Sequence, residues 1–469
     1  MKVTILGLGL FGGGAGAARY FAERGHLVSV TDLRTEKQLE PAIKALEGLP
    51  IRYHLGAHPE ELFRDADLVV VNPGVKPGSP PLAAARAAGV KLTTEVNLVF
   101  ELAKAPIAGI TGSNGKSTTA AMLAAIMKRT GRPLLLGGNL GGSLLGEVEK
   151  FPADGLIVME LSSFQLQRLA WARRSPHLAV ITNVTPNHLD WHPDFADYAS
   201  AKEQIARFQT AGDFLVANAD CPVASKWAEW AKAKVARFSI LSKPAAPAAW
   251  VEDGRLMLDL GAGPEEIMPA AELPLPGRHN QANALAASLA AALLTAEVQG
   301  SGFKVQGACT LHLAPCTCSP LSALREFKGL PHRLELVAER GGVRFYNDSI
   351  ATTPESAIAA LESFDCPVAL IAGGSDKGVS YEAFGRVAAR RADFVALTGP
   401  TGPKIRAAIE ASGGKARLVD ARNFDEAVRL AVEAAKPGWA VLMSPASASF
   451  DAFPNFERRG ERFRELVRG

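Results

Sequence analysis

Between Ile107 and Thr119 the chain reads I-A-G-I-T-G-S-N-G-K-S-T-T, residue types whose order suits the binding of a polyphosphate. Gly112 and Gly115 let the backbone approach phosphate oxygens, and Ser113, Asn114 and Thr118 complete a loop of small polar residues. Lys116 supplies a positive charge, and Ser117 a hydroxyl suited to Mg²⁺. The spacing G-S-N-G-K-S is shorter than the common G-x-x-x-x-G-K-S, with Ile110 where the first Gly of that pattern falls. The apolar run before the loop predicts a buried strand. The A-A-M-L-A-A-I-M run after it predicts a helix whose open N–H groups face the same anion. ATP is the expected ligand.

Further along, Leu156–Leu161 is apolar apart from Glu160, which is expected at the end of a buried strand, and Ser162, Ser163 and Gln165 follow. A carboxylate at the end of a buried strand is costly unless it is paired or metal-bound, so Glu160 is expected to be a Mg²⁺ ligand. Asn183, His188, Asp190 and His192 crowd the next strand-end loop, N-V-T-P-N-H-L-D-W-H-P, which favours a metal or phosphate role for that cluster. At the start of the chain, Gly7-x-Gly9-x-x-Gly12 lies between a strand, Val3–Leu6, and a helical stretch to Arg24, with Asp32 ending the next strand. That is a dinucleotide-binding fingerprint, and the same turn holds any pyrophosphate, including that of a UDP-sugar. Asn72-Pro73-Gly74 follows another strand, at the edge where such sheets bind ligands.

These residues need several sheets to position them. At 469 residues the chain exceeds one ordinary core. Alternating strands and helices predict α/β architecture in three domains. These are a Rossmann-like domain over 1–104, a central ATP-binding domain with a mostly parallel P-loop-type sheet over 105–326, and a second Rossmann-like domain over 327–469. In the last, four strands (Val343–Tyr346, Val368–Ile371, Phe394–Leu397, Ala440–Met443) each end in a small-residue loop. Gly137-Gly138-Asn139 reads as a turn, and Tyr198–Lys202 as the opening of a helix. Asn280 and Asn283 share one face of an Ala/Leu-rich helix, able to read a purine edge or simply to cap it. A net charge of +3 with no basic, aromatic-interleaved stripe argues against a nucleic-acid partner. No apolar run is long enough to span a membrane, and G-L-G-L-F-G-G-G-A-G is too Gly-rich for a secretory signal. Five cysteines make no disulfide framework, which fits the cytoplasm, and Cys309, Cys316 and Cys318 match no zinc spacing.

Taken together, G-I-T-G-S-N-G-K-S-T-T, E-L-S-S-F-Q-L, N-V-T-P-N-H-L-D, L-P-G-R-H-N, G-L-P-H-R, N-D-S-x-A-T and S-P-A-S-A-S-F-D resemble the Mur ligases, and within them the D-glutamate-adding branch. The resemblance implies an ATP-dependent ligase of peptidoglycan precursor synthesis. A substrate carboxylate is phosphorylated to an acyl phosphate, and an amine then displaces phosphate through a tetrahedral intermediate. It implies UDP-N-acetylmuramoyl-L-alanine, D-glutamate and ATP as small-molecule partners of a monomer. The UDP substrate would lie near Gly9, Leu10, Phe11, Asp32, Arg34, Asn72 and Gly74, and its muramoyl-alanine arm near Asn139 and Ser163. Lys116 and Ser117 would hold the phosphates and one Mg²⁺ shared with Glu160, while His188 and a carbamylated Lys202 would hold a second. Asn280, Arg333 and Asp348 would hold ATP, the latter two reaching in from the last domain, whose closure would assemble the site. Thr352, Lys377, Ser449, Phe450 and Phe456 would frame D-glutamate. Ile350 stands where that branch usually has Lys, so the charge expected there is absent.

On the residues alone, a nicotinamide-dependent oxidoreductase built on Gly7, Gly9, Gly12 and Asp32 stays open, but it leaves the phosphate loop unused. An ATP-driven switch without ligase activity also stays open, as does a Mur-type ligase for another amino acid.

Overall fold

Continuous runs of apolar and β-branched residues, buried on both faces, build three sheets. The computed structural model describes residues 1–9, 12–140, 142–188, 191–298, 320–376 and 378–468. Leu10, Phe11, Asp190, Lys377, Cys309, Cys316 and Cys318 lie outside the described residues. The first sheet comprises β1 (Lys2–Leu6), β2 (Leu27–Asp32), β3 (Ile51–Leu55), β4 (Leu68–Val71) and β5 (Lys91–Thr93). All are parallel in the order β3-β2-β1-β4-β5, so the strand order reverses between β1 and β4. The loops after those two strands abut. Gly7 sits at φ 87° with room for no side chain, since a Cβ there would meet the Asn72 side chain at 2.9 Å.

The second sheet holds β6 (Ile107–Thr111), β7 (Leu134–Gly138), β8 (Leu156–Glu160), β9 (Leu178–Ile181), β10 (Phe214–Asn218), β11 (Lys234–Ser239), β12 (Ala248–Glu252), β13 (Arg255–Asp259) and β14 (Glu265–Pro269). Its order is β14-β13-β12-β11-β10-β9-β6-β8-β7, parallel from β7 to β12 and closed by an antiparallel β12-β13-β14 meander. Because β6 lies between β8 and β9, the loops leaving those three strands meet at one carboxyl edge, where such sheets place ligands. Gly137 and Gly138 belong to β7 rather than to a turn. Their strand runs so close to Leu144 and to the Glu160 backbone that no Cβ would fit. The helix carrying Lys202 begins at Phe195, earlier than Tyr198, because Asp194 caps it by accepting the Asp197 N–H.

The third sheet contains β15 (Glu335–Arg340), β16 (Val343–Asn347), β17 (Val368–Gly373), β18 (Phe394–Thr398), β19 (Arg417–Asp420) and β20 (Ala440–Met443). It runs β15-β16-β20-β17-β18-β19 and is parallel apart from the β15–β16 pair.

By packing, the chain divides into two compact units, Met1–Glu272 with Gln281–Leu324, and Leu273–Asn280 with Arg325–Gly469. The first two sheets fall in one unit because a single core joins them. Tyr20, Phe21 and Phe100 pack in the same cluster as Leu145, Val148 and Leu166. The second unit has separate apolar clusters, including one around Leu370 and Phe384 and one around Phe345 and Phe463. Among the described residues no helix is long and apolar enough to cross a membrane.

Inside the first unit, Glu95 opens the helix Glu95–Leu102 and accepts from Ser143 Oγ (2.8 Å) and from the Leu144 N–H (3.3 Å). Burial pushes its carboxyl up to about 7, against those two hydrogen bonds. A carboxyl raised on folding weakens the fold as pH climbs from its unfolded value toward its folded one. Glu95→Gln mimics the protonated acid. Between pH 5 and 8 its stability relative to the parent should therefore improve by on the order of 3 kcal/mol, measured by denaturant unfolding. No improvement would mean that the carboxylate is accommodated in its ionised form.

Candidate functional site

Gly115 stands at φ 82° as the N-cap of the helix Lys116–Lys128. A Cβ at this position would collide with Asn283 Oδ1, so only glycine permits both the left-handed turn and that approach. The helix is buried along most of its length, which fixes the direction of its open end. The loop itself is braced by the neighbouring strand end. The Ser113 N–H donates to Asn183 O (2.8 Å), and Ser113 Oγ donates to Thr185 O (2.8 Å). The Asn114 N–H donates to Asn183 Oδ1 (2.9 Å), while Asn114 O accepts from Thr182 Oγ1 (2.6 Å) and Asn183 Nδ2 (3.0 Å). Ser113 and Asn114 thus hold the loop's shape. Lys116 folds back over it, donating from Nζ to Ser113 O at 3.0 Å.

Beside this loop, Glu160 ends β8 at 2 % exposure, and its Oε1 accepts from Asn139 Nδ2 (3.2 Å) at the end of β7. Lys202, 1 % exposed, donates from Nζ to Gly112 O (2.8 Å) and Thr111 Oγ1 (3.3 Å). Burial, reinforced by nearby Lys116 and opposed by Glu160, holds its amine well below the usual lysine range. Lys116, Glu160 and Lys202 are therefore within electrostatic reach of one another. His188 has a left-handed backbone, φ 54°, with its ring 5.1 Å from Phe164. Among the described residues no group of three or more His, Cys, Asp or Glu forms a ready-made metal cluster. Glu160 and Ser117 nevertheless suit Mg²⁺, which takes one or two protein oxygens and completes its shell with phosphates and water.

His192 departs from the role expected of its cluster. It is fully buried, and both ring nitrogens are engaged, Nδ1 with Asp197 Oδ2 (2.6 Å) and Nε2 with Ser163 Oγ (3.1 Å).

At the first sheet's edge, Asp32 accepts from the Gly9 N–H (3.2 Å) and the Arg34 N–H (2.9 Å), with the Arg34 guanidinium 3.9 Å away. Asn72 Oδ1 accepts from the Gly74 N–H (2.9 Å), shaping the loop after β4. The residue that locks this loop is Arg168, which sequence reading missed. It lies on the helix Ser163–Leu169 and is 2 % exposed. It donates to Asn72 O (2.9 Å) and Val75 O, while its own carbonyl accepts from Asn97 Nδ2 (3.0 Å). Burial brings its guanidinium down to about 10. One buried cation thus ties the Asn72–Gly74 loop to the helix that begins at Ser163. Arg168→Met strands two carbonyls, so the KM for the UDP substrate expected at this loop should rise roughly tenfold with the KM for ATP little changed, read from initial rates.

Asn280, Arg333, Asp348, Thr352, Ser449, Phe450 and Phe456 all fall in the second unit. Asp348, after β16, accepts from the Leu334 N–H (3.1 Å) and from Ser444 Oγ (2.7 Å). Burial pushes its carboxyl up to about 7, while Arg333 and Arg459 pull it down. Asn280 Nδ2 donates to Pro276 O at 2.7 Å. Phe450 is 72 % exposed, Ser449 is buried, and Thr352 is half-buried. Arg459, also missed in the sequence, organises the loops around them. Its guanidinium donates to Ser349 Oγ (3.0 Å), Ser349 O (3.0 Å), Ser447 O (3.1 Å) and Ala448 O (3.1 Å). Ser349 Oγ donates in turn to Phe456 O (2.8 Å). No spacing rule points to such a residue. The one signal was an Arg-rich helix start, E-R-R-G, just after S-P-A-S-A-S-F-D.

Known proteins with the same pattern identify the family. Residues 1–94 match the Mur ligase MurD-like N-terminal domain, 110–291 the Mur ligase middle domain, and 332–447 the Mur ligase glutamate ligase domain. The chain is 39 % identical to a UDP-N-acetylmuramoylalanine–D-glutamate ligase of Symbiobacterium thermophilum, covering 99 % of this chain and 97 % of that one. It is also 39 % identical to one of Roseiflexus sp., over 99 % and 98 %. Among solved structures, the UDP-N-acetylmuramate–alanine ligase of Thermotoga maritima shares the fold at TM-score 0.60 and 21 % identity, covering 100 % and 99 % of the two chains. From one end to the other, therefore, this chain belongs to the Mur ligase family.

Proposed function

We propose that this chain is an ATP-dependent ligase that joins D-glutamate to UDP-N-acetylmuramoyl-L-alanine, releasing ADP and phosphate, in peptidoglycan precursor synthesis. The observation that carries this reading is the meeting of the Gly112–Ser117 loop, Glu160 and Lys202 at one sheet edge, in a chain matched along its length by relatives named for that reaction. The loop and helix start receive the β- and γ-phosphates, and Lys116 offsets their charge. The carboxylate of the muramoyl-alanine arm, held near Asn139 and Ser163, attacks the γ-phosphorus to give an acyl phosphate. The amine of D-glutamate then adds to the carbonyl, and phosphate leaves from the tetrahedral intermediate. The protein's contribution is positioning and charge compensation.

Mg²⁺, when bound, neutralises phosphate charge. Ser117 and Glu160 supply oxygens for one site, and His188 with a carbamylated Lys202 a second. The deep burial of Lys202 and its depressed basicity support the carbamate, since only a neutral amine adds CO₂. Gly9, Asp32, Arg34, Asn72 and Gly74 hold the UDP portion, Asn280, Arg333 and Asp348 serve ATP, and Thr352, Ser449, Phe450 and Phe456 serve D-glutamate. Domain divisions at 104/105 and 326/327 follow the three sheets, and the enzyme acts in the cytoplasm as a monomer. Substrate labelled with ¹⁸O in the alanyl carboxylate tests the chemistry. One ¹⁸O should appear in the released phosphate, and unlabelled phosphate would exclude an acyl phosphate.

A further inference from the structure

Beside the Gly7–Gly12 turn, a loop of the second sheet lies against a helix of the first, and a buried carboxyl holds it there. Gly12 is the N-cap of the helix Gly13–Glu23, at φ 87°. One turn on, Gly16 has no side chain, and Ser143 fills the place where one would be. A Cβ on Gly16 would collide with Ser143 Cβ and Oγ. A Cβ on Gly12 would lie 3.8 Å from the Gly142 Cα, so the loop after β7 runs along the open end of this helix.

Ser143 is anchored from behind. Its Oγ donates to Glu95 Oε1 (2.8 Å), and the same oxygen accepts the Leu144 N–H (3.3 Å). Glu95 is itself fixed, because it opens the helix Glu95–Leu102 and Thr94 caps that helix by accepting the Asn97 N–H (3.0 Å). Asn97, in the same first turn, donates to Arg168 O (3.0 Å). One buried helix start therefore braces Arg168 on one side and the Ser143 loop on the other. Both anchoring bonds end on Oε1 as an acceptor, so they form whether or not the carboxyl is ionised.

We propose that Glu95 is a positioning residue for the nucleotide-sugar substrate. By anchoring Ser143 against Gly16, it keeps the loop after β7 on the open end of the Gly13–Glu23 helix, as one wall of the pyrophosphate site. This rests on the reading above that the Gly9–Asp32 edge holds the UDP portion. It goes beyond that reading in bringing to the site a loop of the second sheet and the buried residue that sets its position.

The test reads the KM for each substrate from initial rates of phosphate release, alongside the unfolding midpoint. Glu95→Ala removes the acceptor and should raise the KM for UDP-N-acetylmuramoyl-L-alanine roughly tenfold, about the worth of one hydrogen bond. The KM for ATP and for D-glutamate should stay unchanged. Glu95→Gln keeps an acceptor oxygen and should keep the parent KM. Gly16→Ala leaves Glu95 intact but drives Ser143 off the helix, and should raise the same KM. Alanine favours a helix over glycine, so that rise would not come from a weaker helix. Gly16→Ala also supplies the answer if Glu95→Ala does not fold. Asp32→Ala reports on the UDP portion itself and should raise the same KM. If it does not, the UDP portion lies elsewhere, and the placement and the proposal fall together. If Asp32→Ala raises that KM but folded Glu95→Ala or Gly16→Ala does not, the anchoring role alone is overturned. Glu95→Gln as impaired as Glu95→Ala would overturn it too.

Discussion

Lys116→Ala is expected to lower ATP-dependent phosphate release by at least about a hundredfold, with circular dichroism and unfolding midpoint close to those of the parent. The reason lies in where its charge sits. The side chain is half-buried at the first position of the Lys116–Lys128 helix, with Nζ laid over the loop at Ser113 O. The loop is braced by Ser113, Asn114, Thr182 and Asn183 independently of it, so truncation should leave the cradle standing. What disappears is the cation that balances charge spread over the transferring phosphoryl group. Steady phosphate release, measured colorimetrically with all three substrates, is the check. Activity within a few-fold of the parent would remove Lys116 from the phosphate site.

Lys202→Ala should be comparably damaging, and its loss should be partly reversed by formate or acetate. Lys202 occupies a slot 1 % exposed, with Nζ donating to Gly112 O and Thr111 Oγ1. Burying an amine there is costly as a cation, and its basicity falls accordingly. Truncation opens a cavity beside Thr111 and Gly112 that a one- or two-carbon carboxylate fits. The carboxylate restores the anion a carbamate would supply. Recovery of about tenfold or more in phosphate release supports the carbamate. A variant equally dead with and without added carboxylate points to plain structural support of the loop.

The parts of this enzyme written in local sequence were legible there. The Gly112–Ser117 loop, the strand ending in Glu160, the Gly7–Gly12 turn and Asp32 each combine small residues, an apolar run and a charged group within a short span. The third sheet's central strands were legible for the same reason, being buried on both faces. Its edge strands β15 and β19 were not, because they are amphipathic or polar, with half-exposed residues such as Leu418. The β12–β14 meander was missed although Asp253-Gly254 marks its turn, since β13 alternates and β14 is short and half polar, leaving only β12 with a continuous apolar run. Arg168 and Arg459 were illegible in kind. Each acts on groups far away in sequence, so no spacing in the chain announces it. Only the packing of the Ser163 helix against the Asn72–Val75 loop, or of the last helix against Ser349, reveals the role.

Ile350 leaves the amino acid as the point most in need of measurement, for it is half-buried and uncharged just after Asp348. The direct test is phosphate release with ATP, Mg²⁺ and UDP-N-acetylmuramoyl-L-alanine, adding D-glutamate, L-glutamate, L-lysine, diaminopimelate or L-alanine one at a time. The account predicts release with D-glutamate alone. Release with a different amino acid alone would keep the ligase chemistry and contradict the substrate assignment. Folded, ATP-bound protein that releases phosphate with none of them would contradict the ligase itself.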